Sequence, residues 1–222
     1  MRHGTLTHSE DDMRPQLHNY NMAPGVVAFS STRHGGYSTG HYGEININRL
    51  CQLLGISDDR IVMPHQTHQT RVAAIDTAFL SLTDDERQRA LEATDALMTD
   101  VPQVCIGVST ADCIPLLLYD PEHRAVCAIH AGWRGTLARI AQKAVEAMKT
   151  AYASRPSRLL AQTGPGIGLD SFEVGQEVYD AFAQAHFSMT AIARRYPDAT
   201  GDKAGKWHID LPACNCLQLI DC

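Results

Sequence analysis

Two short stretches and one loop hold the residues best suited to chemistry. In Thr110-Ala111-Asp112-Cys113-Ile114-Pro115 a thiol opens an apolar run, and in Ile129-His130-Ala131-Gly132-Trp133-Arg134-Gly135 a histidine closes one. Between Pro64 and Thr70 lie His65 and His68. A thiol at the edge of a buried strand can be reached by solvent, a metal or a substrate, whereas Cys105 and Cys127 sit inside apolar runs and read as small core residues. Three roles are open to Cys113. It can fill space, it can act as a nucleophile with His130 as base in a Cys–His hydrolase or transferase, or it can bind Zn²⁺. In the last case His130 and one of His65 and His68 would join it and leave the fourth position free for catalysis. These residues are too far apart in sequence for a local metal motif, so the fold must bring them together.

Arg134 adds an anion-binding element. The Gly-Trp-Arg-Gly turn runs into a helical pattern, and a helix N-terminus favours an anion by about 0.3–1 kcal/mol. A guanidinium there contributes a two-pronged donor. Arg33 lies in the glycine-rich stretch Ser31-Thr32-Arg33-His34-Gly35-Gly36, where backbone can approach a ligand closely. The plainer alternative for both arginines is a solvated surface charge.

The elements that must position these residues follow from the hydrophobic pattern. Residues 1–25 read as an N-terminal arm, and the first convincing strand covers 26–30. Further strands are expected at 71–75, 104–108, 114–119, 125–129 and 159–162, with residues 120–123 forming the turn between the third and fourth of these. Helices are expected at 48–54, 84–93 and 174–185. The clearest runs from Leu137 to Met148, with Ile140, Ala141, Ala144 and Val145 at three- and four-residue spacing. Strands and helices interleave without a regular βαβ rhythm, so a mixed-sheet α/β domain over residues 26–222 is favoured over a doubly wound one.

The whole chain narrows the function classes. Its 222 residues are 44% hydrophobic and 20% charged, which suits one globular domain with a sizeable core. The net charge of −6 gives no general attraction to nucleic acid or anionic lipid, so neither is an expected partner. The polar first twenty residues lack the apolar stretch of about 7 to 15 residues that a secretory signal needs, and a cytoplasmic location is expected. Seven cysteines form no disulfide framework and no Cys-x-x-Cys pair.

The stretches STRHGGYS, HQTHQTRV, TADCIPLLLYDP, AVCAIHAGWRGT, TGPGIGLDSFEVGQEV and WHIDLPACNCLQL together resemble the YfiH-like family over roughly residues 26 to 219. Members of that family are described as multicopper polyphenol oxidoreductases or laccases, and as purine nucleoside phosphorylases. The resemblance implies a four-layer α/β/β/α fold and a metal site of two histidines and one cysteine, usually assigned to zinc. The family's Gln-x-His falls on Gln66-Thr67-His68, which selects His68 over His65 and makes His68, Cys113 and His130 the implied ligands. The chain departs from the family pattern at two places. Ile47 meets Asn48 without an intervening loop, and the family's segment beyond the Gln-Leu helix has no counterpart.

The resemblance further implies a zinc-dependent enzyme that splits adenosine, inosine or methylthioadenosine with phosphate and also deaminates adenosine. A metal with an open position can activate water against purine C6, while phosphorolysis needs an anion cradle that Arg134, helped by Arg33, would supply. The alternatives are a copper-dependent polyphenol oxidase and the Cys113–His130 hydrolase. Multicopper chemistry needs many histidine ligands, yet the 11 histidines contain no His-x-His pair.

Overall fold

A computed structural model describes residues 17–32, 46–197 and 205–222. Its centre is a five-stranded sheet. Strand β4 (Val72–Ala74) lies parallel to β5 (Ala96–Thr99). β5 then pairs antiparallel with β8 (Ala125–Ala131), β8 with β7 (Ile114–Asp120), and β7 with β9 (Leu160–Thr163).

Strand pleating sorts the residues of β8 onto two faces. Ala125, Cys127, Ile129 and Ala131 enter the main core, where they meet Ile140, Ala141, Ala144, Val145 and Met148 of helix α5 (Ile140–Tyr152). Helix α8 (Leu211–Ile220) packs beside α5 on the same side, with Leu211 and Cys214 in that core. His130 is on the other face, the side to which Leu97 of β5 contributes a second cluster with Val62, Ile75 and Phe79.

That second cluster joins the large sheet to a small one. Strands β3 (Ile61–Val62) and β6 (Cys105–Ile106) form a parallel pair. Val62 and Ile106 pack toward Leu97, while Ile61 and Cys105 turn the other way onto Leu50, Ile47 and Cys51 of helix α1 (Ile47–Leu54). The order is therefore helix, sheet, sheet, helix, the α/β/β/α layering expected. Beside it, β1 (Leu17–Tyr20) pairs antiparallel with β2 (Ala28–Ser31), so residues 17–20 of the expected arm form a strand.

The joint at residues 47–48 is continuous: Asn46 caps α1, its side-chain oxygen accepting the Arg49 amide at 3.1 Å. The clearest expected helix is in fact two. Helix α4 (Trp133–Leu137) ends before Arg139, whose φ of 65° reverses the chain into α5. The Arg139 guanidinium holds that left-handed turn by donating to the Ala185 carbonyl at 2.8 Å and lying over the Phe187 ring at 3.7 Å. The remaining short helices are α2 (Thr77–Leu80), α3 (Asp84–Ala90), α6 (Gln176–Gln184) and α7 (Met189–Ile192). Val174, expected to open a helix, instead belongs to β10 (Glu173–Val174). β10 pairs with β12 (Lys206–Ile209), which also pairs with β11 (Ala193–Tyr196).

Candidate metal centre

His130 reaches the site from the carboxyl end of β8 and is 3% exposed. Cys113 immediately precedes β7, whose Pro115 stands opposite His130 in the ladder. His68 comes from the loop joining β3 to β4 and is exposed. Three distant parts of the chain thus converge, and one ligand atom from each of His68, Cys113 and His130 lies within 4.8 Å of the others. The two imidazoles meet edge to face with ring centres 4.7 Å apart.

The donor set and its surroundings fit a metal ion. Two nitrogens and a thiol match the ligands zinc accepts. The Nδ1 atom of His130 is 2.7 Å from the Asp95 carboxylate, which leaves Nε2 free to ligate. Gly132 lies against the trio: a β-carbon there would stand 2.9 Å from His68 Cδ2 and 3.0 Å from Cys113 Sγ. Its own φ of −70° is ordinary, so it is the space that demands glycine. The exposed His68 side leaves an approach for a small molecule.

Electrostatics tighten the pair at the back of the site. Burial alone would depress the His130 imidazolium, but hydrogen bonds to Asp95 and Cys113 outweigh it and push its pKa up to about 9 in the metal-free protein. Burial opposes ionisation of Asp95, yet His130 and the amides of Gln69 and Thr67 hold its carboxyl below the usual value. By contrast, burial raises the Cys105 thiol to about 11 and the Cys214 thiol to about 12, and pushes the Cys127 thiol up as well. Those cysteines are core residues without thiolate chemistry.

His65, the histidine set aside, is on the surface with Nδ1 2.7 Å from Glu92 Oε1. Arg134 opens α4, exposed, with its guanidinium 4.2 Å over the Trp133 ring. Helix α4 has five residues, so the long helix dipole expected behind Arg134 is reduced to one short turn. Arg33 lies outside the described residues. Asp112 is exposed and engages through its backbone, its carbonyl accepting the Ile167 amide at 2.7 Å. That bond brings the 164–168 loop against the Cys113 turn.

Asp95 escapes a reading of the sequence, and Gln66 enters it only as part of the family's Gln-x-His. Asp95 stands in Thr94-Asp95-Ala96-Leu97-Met98, and its only signal is a lone acid opening an apolar run. Gln66 pairs both ends of its amide with the Ser109 backbone, Nε2 donating to the carbonyl at 2.8 Å and Oε1 accepting the amide at 2.7 Å. This stitches the His68 loop to the segment that leads into Cys113.

Fold and site together define an α/β/β/α protein with one His–Cys–His cluster, among the described residues, able to hold a metal. The family model of multi-copper polyphenol oxidoreductase laccases matches residues 27–222, and the chain belongs to that family. Among its relatives, a purine nucleoside phosphorylase of Bacteroides thetaiotaomicron is 39% identical over 88% of this chain and 76% of that protein. The adenosine deaminase RL5, from an unknown prokaryotic organism, is 42% identical over 88% of this chain and 78% of that protein. The crystal structure of YlmD from Geobacillus stearothermophilus superposes with a TM-score of 0.74 at 27% identity, covering 88% of this chain and 76% of that one.

Proposed function

We propose that the protein is a zinc-dependent enzyme of purine nucleosides, splitting adenosine, inosine or methylthioadenosine with phosphate and deaminating adenosine as a second activity. The observation that carries this reading is the convergence of His68, Cys113 and His130 at a cluster open on one side, in a chain whose relatives are named for those two activities.

His68, Cys113 and His130 are the proposed ligands. Zinc bound there supplies Lewis-acid polarisation at the open side. The chain's own residues do the rest. Asp95 keeps the His130 proton on Nδ1, so that Nε2 faces the site. Burial of His130 excludes water from the back of the site, while the exposed His68 side admits substrate. Arg134 is the proposed phosphate contact, its guanidinium held in place by stacking on Trp133, and Arg33 is the proposed second contact.

The balanced reactions define the assay. Adenosine and phosphate give adenine and ribose 1-phosphate; adenosine and water give inosine and ammonia. Purified zinc-loaded protein is expected to form adenine only when phosphate is present, and inosine in its absence. Formation of neither adenine nor inosine would sink the proposal. Cys113→Ser is expected to lower both activities by at least about 100-fold, the upper end of the losses seen when only the residues behind metal ligands are altered.

One geometric observation favours a second reading. Cys113, His130 and Asp95 line up as nucleophile, base and orienting acid, with His130 bonded to both neighbours. Chelation separates the two: a Cys–His hydrolase keeps its turnover without metal, whereas the zinc enzyme loses it. A copper-dependent phenol oxidase fits less well, because among the described residues a single three-ligand cluster stands where that chemistry needs several coppers. Metal analysis of the purified protein checks this, with one zinc per chain expected.

A further inference from the structure

Two of the three candidate ligands are governed by the same buried carboxylate. Asp95 is fully buried, and its oxygens collect four donors. Oδ1 accepts the His68 amide at 2.9 Å and lies 2.7 Å from His130 Nδ1. Oδ2 accepts the Gln69 amide at 2.8 Å and the Thr67 amide at 3.3 Å. Three successive amides pointing at one anion form a nest, a backbone concavity that binds negative charge.

The nest needs a left-handed residue, and that residue is His68, with φ of 61°. A histidine adopts this conformation only when its surroundings over-determine it. The Asp95 carboxylate supplies that determination. The backbone of Asp95 fixes the other ligand a second time, its carbonyl accepting the His130 amide at 2.7 Å.

We propose that Asp95 is the positioning residue of the metal site, one carboxylate fixing both the backbone of His68 and the ring of His130. This rests on the metal reading of the cluster proposed above. An asparagine has the same shape but only one acceptor oxygen. Whichever way its amide turns, its NH₂ faces backbone N–H groups that need an acceptor. Asp95→Asn therefore releases His68 from its left-handed turn and unpins the His130 ring, while leaving the apolar core intact.

The test measures metal binding, not turnover. Wild type, Asp95→Asn and Cys113→Ser are freed of metal and titrated with zinc against a chromophoric chelator, then with cobalt(II) read by its visible and near-ultraviolet spectrum. Wild type is expected to bind one zinc per chain and to show a thiolate-to-cobalt band that Cys113→Ser lacks. Asp95→Asn is expected to keep its circular dichroism, to bind zinc about 10–100-fold more weakly, and to shift the cobalt bands. Wild-type affinity with an unchanged cobalt spectrum would overturn the proposal.

If Asp95→Asn does not fold, long-range proton–nitrogen spectra of the histidines in zinc-loaded wild type decide instead. A proton on His130 Nδ1 with metal on Nε2 supports the proposal, and the opposite assignment overturns it. The two readings also fail differently. Absence of metal binding by wild type removes the site and the positioning role together. Loss of binding in Cys113→Ser but not in Asp95→Asn removes only the positioning role.

Discussion

At the residue scale, the site depends as much on an omitted side chain as on those present. The His68 and Cys113 side chains close over Gly132 so tightly that a methyl group would stand within 3.0 Å of both. Gly132→Ala has no conformational objection, since its φ of −70° suits any residue. The strain falls instead on the ligands, at the cost typical of overpacking, about 1–3 kcal/mol. Borne by the metal-bound arrangement, that cost lowers zinc affinity by about 5- to 150-fold, because 1.4 kcal/mol is a factor of ten. A chelator-competition titration reads this directly. A wild-type zinc constant in Gly132→Ala would mean that the ligands can close elsewhere than against this glycine.

At the element scale, the site is held by connections between segments far apart in sequence, and the strands that carry it are joined by tight turns. The β7–β8 hairpin delivers Cys113 at its start and His130 at its end, and Asp120 fixes the turn between them. Its Oδ1 accepts the amides of Glu122 at 2.9 Å and His123 at 3.3 Å, and its Oδ2 lies 2.8 Å from His123 Nδ1. Burial opposes ionisation of this carboxyl, but the Ser154 side chain, together with the His123 and Glu122 bonds, prevails and its pKa is lowered. A group whose folded pKa lies below its unfolded one stabilises the fold above the unfolded pKa, about 3.9 for aspartate, and loses that effect as pH falls through the folded value. Asp120→Ala is therefore expected to cost about 1–3 kcal/mol at pH 7. The gap from wild type should narrow once the pH drops below about 4. Urea unfolding of both proteins at pH 7 and pH 3 checks the sign, and a gap that widens in acid would contradict it.

The same elements mark where the sequence was legible. β7 and β8 were readable because each is a seven-residue run that is apolar at all but one position near its end, Asp120 in β7 and His130 in β8. α1 was readable because Leu50 and its neighbours recur on one face. β5 escaped because Ala96-Leu97-Met98-Thr99 is four residues, buried throughout, with no alternation and only one β-branched residue to signal a strand. The Arg139 break escaped because the apolar spacing runs straight through it, and the left-handed turn depends on contacts with Ala185 and Phe187, some fifty residues on. Cys113 and His130 stood out from the residues alone, but choosing His68 over His65 and a ligand role over a nucleophile took the family resemblance, since the proximity of the three depends on the β7–β8 register and the Asp95 nest. Neither has a local sequence pattern.

At the scale of the whole molecule, the three proposed ligands come from separate parts of the fold. His68 belongs to the loop between the two sheets, Cys113 to the entry of β7, and His130 to the exit of β8. Among the described residues no helix is long and apolar enough to cross a membrane. A metal that binds the native chain and not the unfolded one stabilises the whole fold by mass action. With free zinc at 100 times its dissociation constant, the gain is about 2.7 kcal/mol. In a domain of this size, 1 kcal/mol moves the melting temperature by about 2–4 °C, so chelation is expected to lower Tm by roughly 5–10 °C. Cys113→Ser should start from the lower value and show almost no response to the chelator. Differential scanning fluorimetry of both proteins, with zinc and with chelator, measures the effect. An equal response to chelator in Cys113→Ser would place the stabilising ion somewhere other than the His68–Cys113–His130 cluster.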